Sequence, residues 1–84
     1  LSQNYPNPFN PVSFIDYALP NSDYLTMNII DIQGRILKNI FYEKYHSVGK
    51  YTQKINGTDL KSGIYFIQLI SSNNILSKKI IVLK

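Results

Sequence analysis

A chain of 84 residues fits one small domain and leaves no room for a second. So short a chain buries only roughly 60–65% of the surface it exposes when unfolded, so a sizeable core and a deep active-site cavity compete for the same residues, and a large single-domain enzyme is excluded. The absence of cysteine removes disulfides, thiolate metal sites and thiol nucleophiles together, and a formal net charge of +4 is too mild a basic bias to imply nucleic acid by itself.

Hydrophobic residues make up 44% of the chain and charged ones 17%, a balance that argues for a folded domain against disorder. The mixture is rich in Ile and Tyr, with Ala18 its only alanine, which favours strands over helices. The longest unbroken apolar run at the C-terminus, Ile80-Ile81-Val82-Leu83, is far short of the ~20 residues of a spanning helix. No signal peptide is visible, and the lack of an initiator Met suggests a piece of a longer protein.

The first segment, residues 1–11, reads as a proline-rich arm. Pro6, Pro8 and Pro11 fix their own φ and push Tyr5, Asn7 and Asn10 away from helix, while Tyr5 and Phe9 can tuck onto a core. On the prolines alone, a plain linker with no role beyond spacing is the favoured reading of the arm. From residue 12 onward the pattern is that of a β-sandwich. Ser13, Ile15, Tyr17 and Leu19 alternate with Phe14, Asp16 and Ala18, which predicts a half-buried strand ending at the Pro20–Asp23 turn. A second strand is predicted over Tyr24–Asp31, with Leu25, Met27 and Ile29 on one face. Asp31-Ile32-Gln33-Gly34-Arg35 then supplies a turn in which Asp accepts backbone N–H groups and Gly takes positive φ.

A third strand is predicted from Ile36 to about Tyr42. Ile36, Leu37, Ile40 and Phe41 also fit a helical stripe, but the preceding turn and the β-branched and aromatic content favour a strand. A loop over Glu43–Val48 follows. Gly49–Ile55 forms the next strand, with Tyr51, Gln53 and Ile55 on one face and the Asn56-Gly57 pair as its turn. Ile64–Ile70 is an almost continuous apolar run broken by Gln68, which reads as a central strand covered on both faces. Asn73-Asn74 fits a tight hairpin turn, and Ile75–Leu83 is the last strand, with Lys78 and Lys79 in its middle. The reading is therefore all-β: an antiparallel sandwich of six to seven strands without substantial helix.

Little in this sequence points to catalysis. His46, the only histidine, falls in the predicted loop and reads as exposed; a metal site would need partners that neither Cys nor a second His supplies, and the five acids are scattered. Ser47 beside His46 has no G-x-S-x-G context. Asn56-Gly57-Thr58 matches a glycosylation tripeptide, but Asn-Gly already has a turn role. Ser62-Gly63-Ile64-Tyr65-Phe66-Ile67 is loosely similar to an RNA-binding strand motif, without the small residue between its aromatics or the two helices that motif requires. No catalytic residue, cofactor, metal, nucleic acid or membrane-spanning segment is implied. Lys78 and Lys79 face opposite ways in a strand, and one pointing inward would protect a sheet edge.

Taken together, Gln3-Asn4-Tyr5-Pro6-Asn7-Pro8-Phe9-Asn10-Pro11, Ile15-x-Tyr17-x-Leu19-Pro20, Asp31-Ile32-Gln33-Gly34-Arg35, Gly49-x-Tyr51, Leu60-x-Ser62-Gly63-Ile64-Tyr65-Phe66 and Lys79-Ile80-Ile81-Val82-Leu83-Lys84 resemble the C-terminal sorting domains of the type IX secretion system over essentially the whole chain. The resemblance implies an Ig-like sandwich at the C-terminus of an exported cargo protein, passing through the periplasm, read by the outer-membrane translocon and removed at the cell surface by a sortase-type protease. It implies that Asn7, Pro8, Phe9, Asn10 and Pro11 mark the junction with the upstream cargo domain, where an extended arm would hold the two apart and give protease access. Lys78, Lys79 and Lys84, with Gly34 and Arg35 of the turn motif, are the candidate recognition residues. Ile55 departs from the family, many of whose members carry Trp before the Asn/Asp-Gly turn. A second resemblance, to the Ig-like domain of the flagellar hook-capping protein and to accessory modules of carbohydrate-active enzymes, implies instead a retained structural or glycan-binding module, with Tyr24, Tyr42, Tyr45 and Tyr51 as stacking candidates or core residues.

Overall fold

A computed structural model describes residues 1–9 and 11–84. Asn10 of the junction motif lies outside the described residues. The described residues form six strands: β1 (Val12–Leu19), β2 (Asp23–Ile30), β3 (Ile36–His46), β4 (Gly49–Asn56), β5 (Gly63–Ile70) and β6 (Ile75–Val82). They build two antiparallel sheets, one of order β1-β4 and one of order β3-β2-β5-β6. This is the all-β sandwich that the alternation predicts.

Alternation assigns the inner face of each strand. Ser13, Ile15 and Tyr17 of β1 and Ile55 of β4 face Leu25, Met27 and Ile29 of β2, Ile67 and Leu69 of β5, and Ile80 and Val82 of β6, and all are buried. The arm joins both sheets. Ser2 donates its backbone N–H to Asp16 O (2.8 Å), and Tyr5 exchanges backbone hydrogen bonds with Phe14 (2.8 and 2.9 Å). Farther along, Phe9 bridges in parallel to Val82 of β6 and places its ring in the core.

Three predicted features come out differently. First, β3 runs on to His46, so only Ser47 and Val48 remain between it and β4. The register of β3 against β2 slips between Leu25 and Met27 and again between Met27 and Asn28, and Glu43 takes a φ of 46°. These bulges break the alternation and make the charged Glu43–His46 stretch resemble a loop. Thr26 Oγ1 accepts the Glu43 N–H inside the bulge (3.0 Å), which keeps the threonine buried on the face opposite the core.

Second, β5 is central but covered on one face only. Ile67 and Leu69 are buried, whereas Ile64 is 47% exposed, and Phe66 and Ile70 are half-buried. The β1-β4 sheet covers the inner face, and among the described residues no strand lies over the outer one. Third, His46 is buried rather than exposed. Its Nδ1 lies 2.9 Å from the Lys44 carbonyl, which can only accept, so that nitrogen carries the proton. Nε2 lies 2.9 Å from the Tyr17 hydroxyl, which hydrogen-bonds to it. Tyr51 stacks on Tyr17 at 5.4 Å between centroids and meets the imidazole edge-on, so it is part of this cluster and not an exposed platform.

The turns follow their local chemistry with two exceptions. Gly34 has φ +84°, as the turn after Asp31 requires. Gly57 does not use positive φ; it is needed for space, because a Cβ there would lie 2.9 Å from Cε2 of Phe9. Asn73 and Asn74 also lack positive φ, and the β5–β6 connection is a four-residue turn closed by the Ser71 N–H on Asn74 O (2.9 Å).

Ile67→Ala, at the fully buried centre of β5, is expected to cost about 2–4 kcal/mol, and Ile64→Ala on the open face less than about 1 kcal/mol; urea unfolding of the two variants measures the contrast. Burial, reinforced by the neighbouring Tyr51, pushes the Tyr17 hydroxyl up to about 12. A pKa above the unfolded value contributes stability in full below pH 10, and that contribution is lost as pH rises towards 12. The stability gap between wild type and Tyr17→Phe is therefore expected to narrow from pH 10 to 12, read from urea midpoints.

Candidate functional site

The candidate recognition residues sit on β6 and on the β2–β3 turn. Lys79 projects from the outer face of the four-stranded sheet, opposite Phe66 in register, and is exposed. Lys78 faces the other way, opposite Ile67, and is half-buried at the inner border of the edge strand. At the C-terminus, the Lys84 backbone N–H donates to Ser62 Oγ (2.9 Å) and its ammonium donates to Thr58 O. The end of the chain is thereby fastened to the β4–β5 loop.

Gly34 and Arg35 belong to a turn organised by one carboxylate. Asp31 accepts from the backbone N–H groups of Gln33 and Arg35 (both 2.9 Å) and from Arg35 Nε (2.8 Å). The Arg35 amide, helped by its guanidinium, holds the Asp31 carboxyl below the usual range. This turn and Lys84 lie at the same end of the four-stranded sheet, two to three strands apart or roughly 10–15 Å. Lys78 and Lys79 lie farther down β6 on opposite faces. The five residues therefore form an end surface and two flanks, not one patch.

The junction motif is held against the sandwich. Phe9 is 2% exposed, while Pro6, Asn7, Pro8 and Pro11 are exposed. Along the outer edge of β6, Gln3 Nε2 donates to Lys79 O (2.8 Å) and Asn7 Oδ1 accepts the Ile81 N–H (2.9 Å). Phe9 N–H donates to Ile81 O (3.0 Å), and Phe9 O accepts the Leu83 N–H (3.1 Å). Pro11 O accepts the Gly57 N–H at 2.7 Å. Sequence reading finds Phe9 as an anchor but misses Gln3 and Asn7, whose side-chain amides act where a neighbouring strand would put its backbone.

The outer face of the same sheet carries a second unread feature. Asn39 Nδ2 donates to Asn28 Oδ1 (2.9 Å), and Asn28 Nδ2 donates to Gln68 Oε1 (3.2 Å), an amide ladder across β3, β2 and β5. The signal was present as polar residues interrupting two apolar strands, but their register was not. Ile36, Ile64 and Ile75 stand exposed around the ladder. At another border of the face, Tyr24 and Tyr45 pair edge-on at 5.5 Å, both exposed, as is Tyr42.

Among the described residues, His46 and Ser47, the pair weighed from the sequence, do not converge. His46 turns inward to Tyr17, whereas Ser47 Oγ lies 3.2 Å from the Tyr51 hydroxyl. An open cleft of about 400 Å³ is lined by Ser2, Asp16, Lys50, Tyr51 and Thr52. Its carboxylate already accepts from the Tyr5 hydroxyl (2.8 Å) and Thr52 Oγ1 (2.7 Å). Among the described residues, no three His, Cys, Asp or Glu side chains gather where they could share a metal ion, and no helix is long and apolar enough to cross a membrane.

No curated protein and no solved structure shows a significant match to the chain. One family model does, described as the secretion system C-terminal sorting domain, and it matches residues 3–83. That span takes in the arm residues Gln3–Phe9, both sheets and Leu83 beyond the end of β6. The chain therefore belongs to the family of type IX secretion C-terminal sorting domains, whose members direct export to the cell surface or beyond and engage the type IX machinery.

Proposed function

We propose that this domain is a non-catalytic address tag that carries an upstream cargo protein across the outer membrane and is removed at the cell surface by a sortase-type protease. The observation that carries the reading is the family match, which takes in the arm and the terminal strand together and not the sandwich alone. Recognition by the translocon falls on β6 and its surroundings: Lys79 on the outer face, Lys78 at the inner border, Lys84 at the end, and the Gly34-Arg35 turn beside it. The protease acts at the junction formed by Asn7, Pro8, Phe9, Asn10 and Pro11, whose exposed prolines lie between the cargo and β1.

A retained accessory module is the second reading, favoured by the exposed Tyr24–Tyr45 pair, which offers aromatic faces to a sugar. Mass spectrometry of the mature secreted protein separates the two. Removal of the domain is expected, and its retention would support the accessory role.

A reporter fused ahead of Leu1, in a bacterium with a type IX system, tests the address. Deleting Ile80–Lys84 is expected to stop its secretion, and normal export of that truncation would sink the reading. Because the deletion also strips Ile80 and Val82 from the core, Lys79→Glu is the cleaner companion. It changes an exposed charge, is expected to leave the unfolding free energy from urea titration within about 0.5 kcal/mol of wild type, and is expected to lower export.

A further inference from the structure

The arm does more than lead into β1: it occupies the edge of β6 in the manner of a strand, but a broken one. Four main-chain groups of β6 point away from β5 in succession, Lys79 O, Ile81 N–H, Ile81 O and Leu83 N–H, and all four are bonded to the arm. Only the last two are met by backbone, both from Phe9. The first two are met by the side-chain amides of Gln3 and Asn7. A continuous extended peptide would supply backbone partners at every one of these positions. Between the bonds, Pro6, Asn7 and Pro8 are exposed, and a single ring, Phe9, anchors the segment. Of the described arm residues only Asn4 and Phe9 are buried, and a stretch with so few buried side chains and with exposed hydrogen bonds opens at a lower free energy than the core beneath it.

We propose that the arm is a displaceable cover over a strand-accepting edge, and that the ligand of this edge is an extended peptide lying parallel to β6 with an aromatic side chain in the position of Phe9. The parallel sense follows from the Phe9–Val82 bridge. The aromatic preference follows from the site Phe9 fills, bordered by Val82 and by Gly57, whose missing Cβ makes the room. The proposal bears on how β6 is read in export, but it stands on the geometry of the edge alone, and its test contains no secretion machinery. A negative result therefore leaves the address reading untouched, and a failure of export leaves the edge untouched.

The probe is a fluorescein-labelled synthetic peptide with the sequence of Ser2–Val12, added to this chain and followed by anisotropy. Phe9→Ala empties the site and loosens the arm, so the variant is expected to bind the peptide about tenfold or more tightly than wild type. The double variant Phe9→Ala/Gly57→Ala places a methyl group where the peptide's ring must go and is expected to lose that gain, as is the same peptide with Ala for Phe. Equal binding by wild type and Phe9→Ala, or equal binding by the single and double variants, overturns the proposal. Should Phe9→Ala fail to fold, hydrogen exchange on the wild-type chain decides. The Ile81 and Leu83 amides are expected to exchange about tenfold or more faster than the Ile67 amide under native conditions. Exchange of all three at one rate means the arm opens only with the whole fold, which also overturns the proposal.

Discussion

The two sheets are unequal in width, and the architecture depends on how that mismatch is met. Two strands span about 10 Å and four about 19 Å, so β1 and β4 cannot cover the inner face of β3-β2-β5-β6. The centre is served first: Met27, Ile29 and Ile67 lie fully buried beneath Ile15 and Ile55. Phe9 of the arm and Leu60 of the β4–β5 loop extend the apolar core beyond the two-stranded sheet. Three inward-facing positions on the edge strands β3 and β6, opposite Ile29, Leu25 and Ile67, are lysines: Lys38, Lys44 and Lys78. A lysine stem can lie over such a margin while its ammonium reaches water. Lys38 finds Asn56 O at 3.0 Å, and Lys44 stands 5.9 Å above the Phe41 ring. On β3, Lys38 and Lys44 also blunt the edge against pairing with another molecule.

The arm is the other half of this solution, and it ties function to stability. Because the narrow sheet needs help, the segment before β1 cannot be a mere tether. It contributes a buried ring and caps the last strand, so the two ends of the described chain meet along β6. With its first and last described segments bonded to each other, the domain presents β6 as part of one folded surface and not as a short linear tail. An extended spacer and a docked arm differ by the hydrogen bonds to Lys79, Ile81 and Leu83 and by the burial of Phe9.

Alternation made most of the fold legible. Ser13, Ile15 and Tyr17 declare the inner face of β1, and Asp31 and Gly34 declare the turn after β2, because each of these signals is local. What escaped depends on distant partners. Ile64 and Ile70 look like core residues in a strand that is covered on one side only, since composition does not say how many layers will stack. His46 looks like a loop residue because the bulge at Glu43 hides the continuation of β3, and its partner Tyr17 is 29 positions away. Gly57 looks like a turn residue, yet its neighbour in space is Phe9. Of the candidate recognition residues, the motif around Gly34 and Arg35 could be read directly, whereas the caps provided by Gln3 and Asn7 require the β6 register. Family resemblance supplied the function, which neither composition nor periodicity carries in a fold that hosts many functions.

The amide ladder of Asn39, Asn28 and Gln68 bears on how this surface behaves in company. An oily layer laid flat across the sheet would have to take the exposed Asn39 and the half-buried Gln68 out of water, and an amide dehydrated without a full set of partners costs of the order of 1–3 kcal/mol. The isoleucines around the ladder invite contact while the seam between them resists it. A passenger exported among many like it thus carries a built-in deterrent to clumping, and only a surface that answers the seam with its own donors and acceptors escapes the penalty.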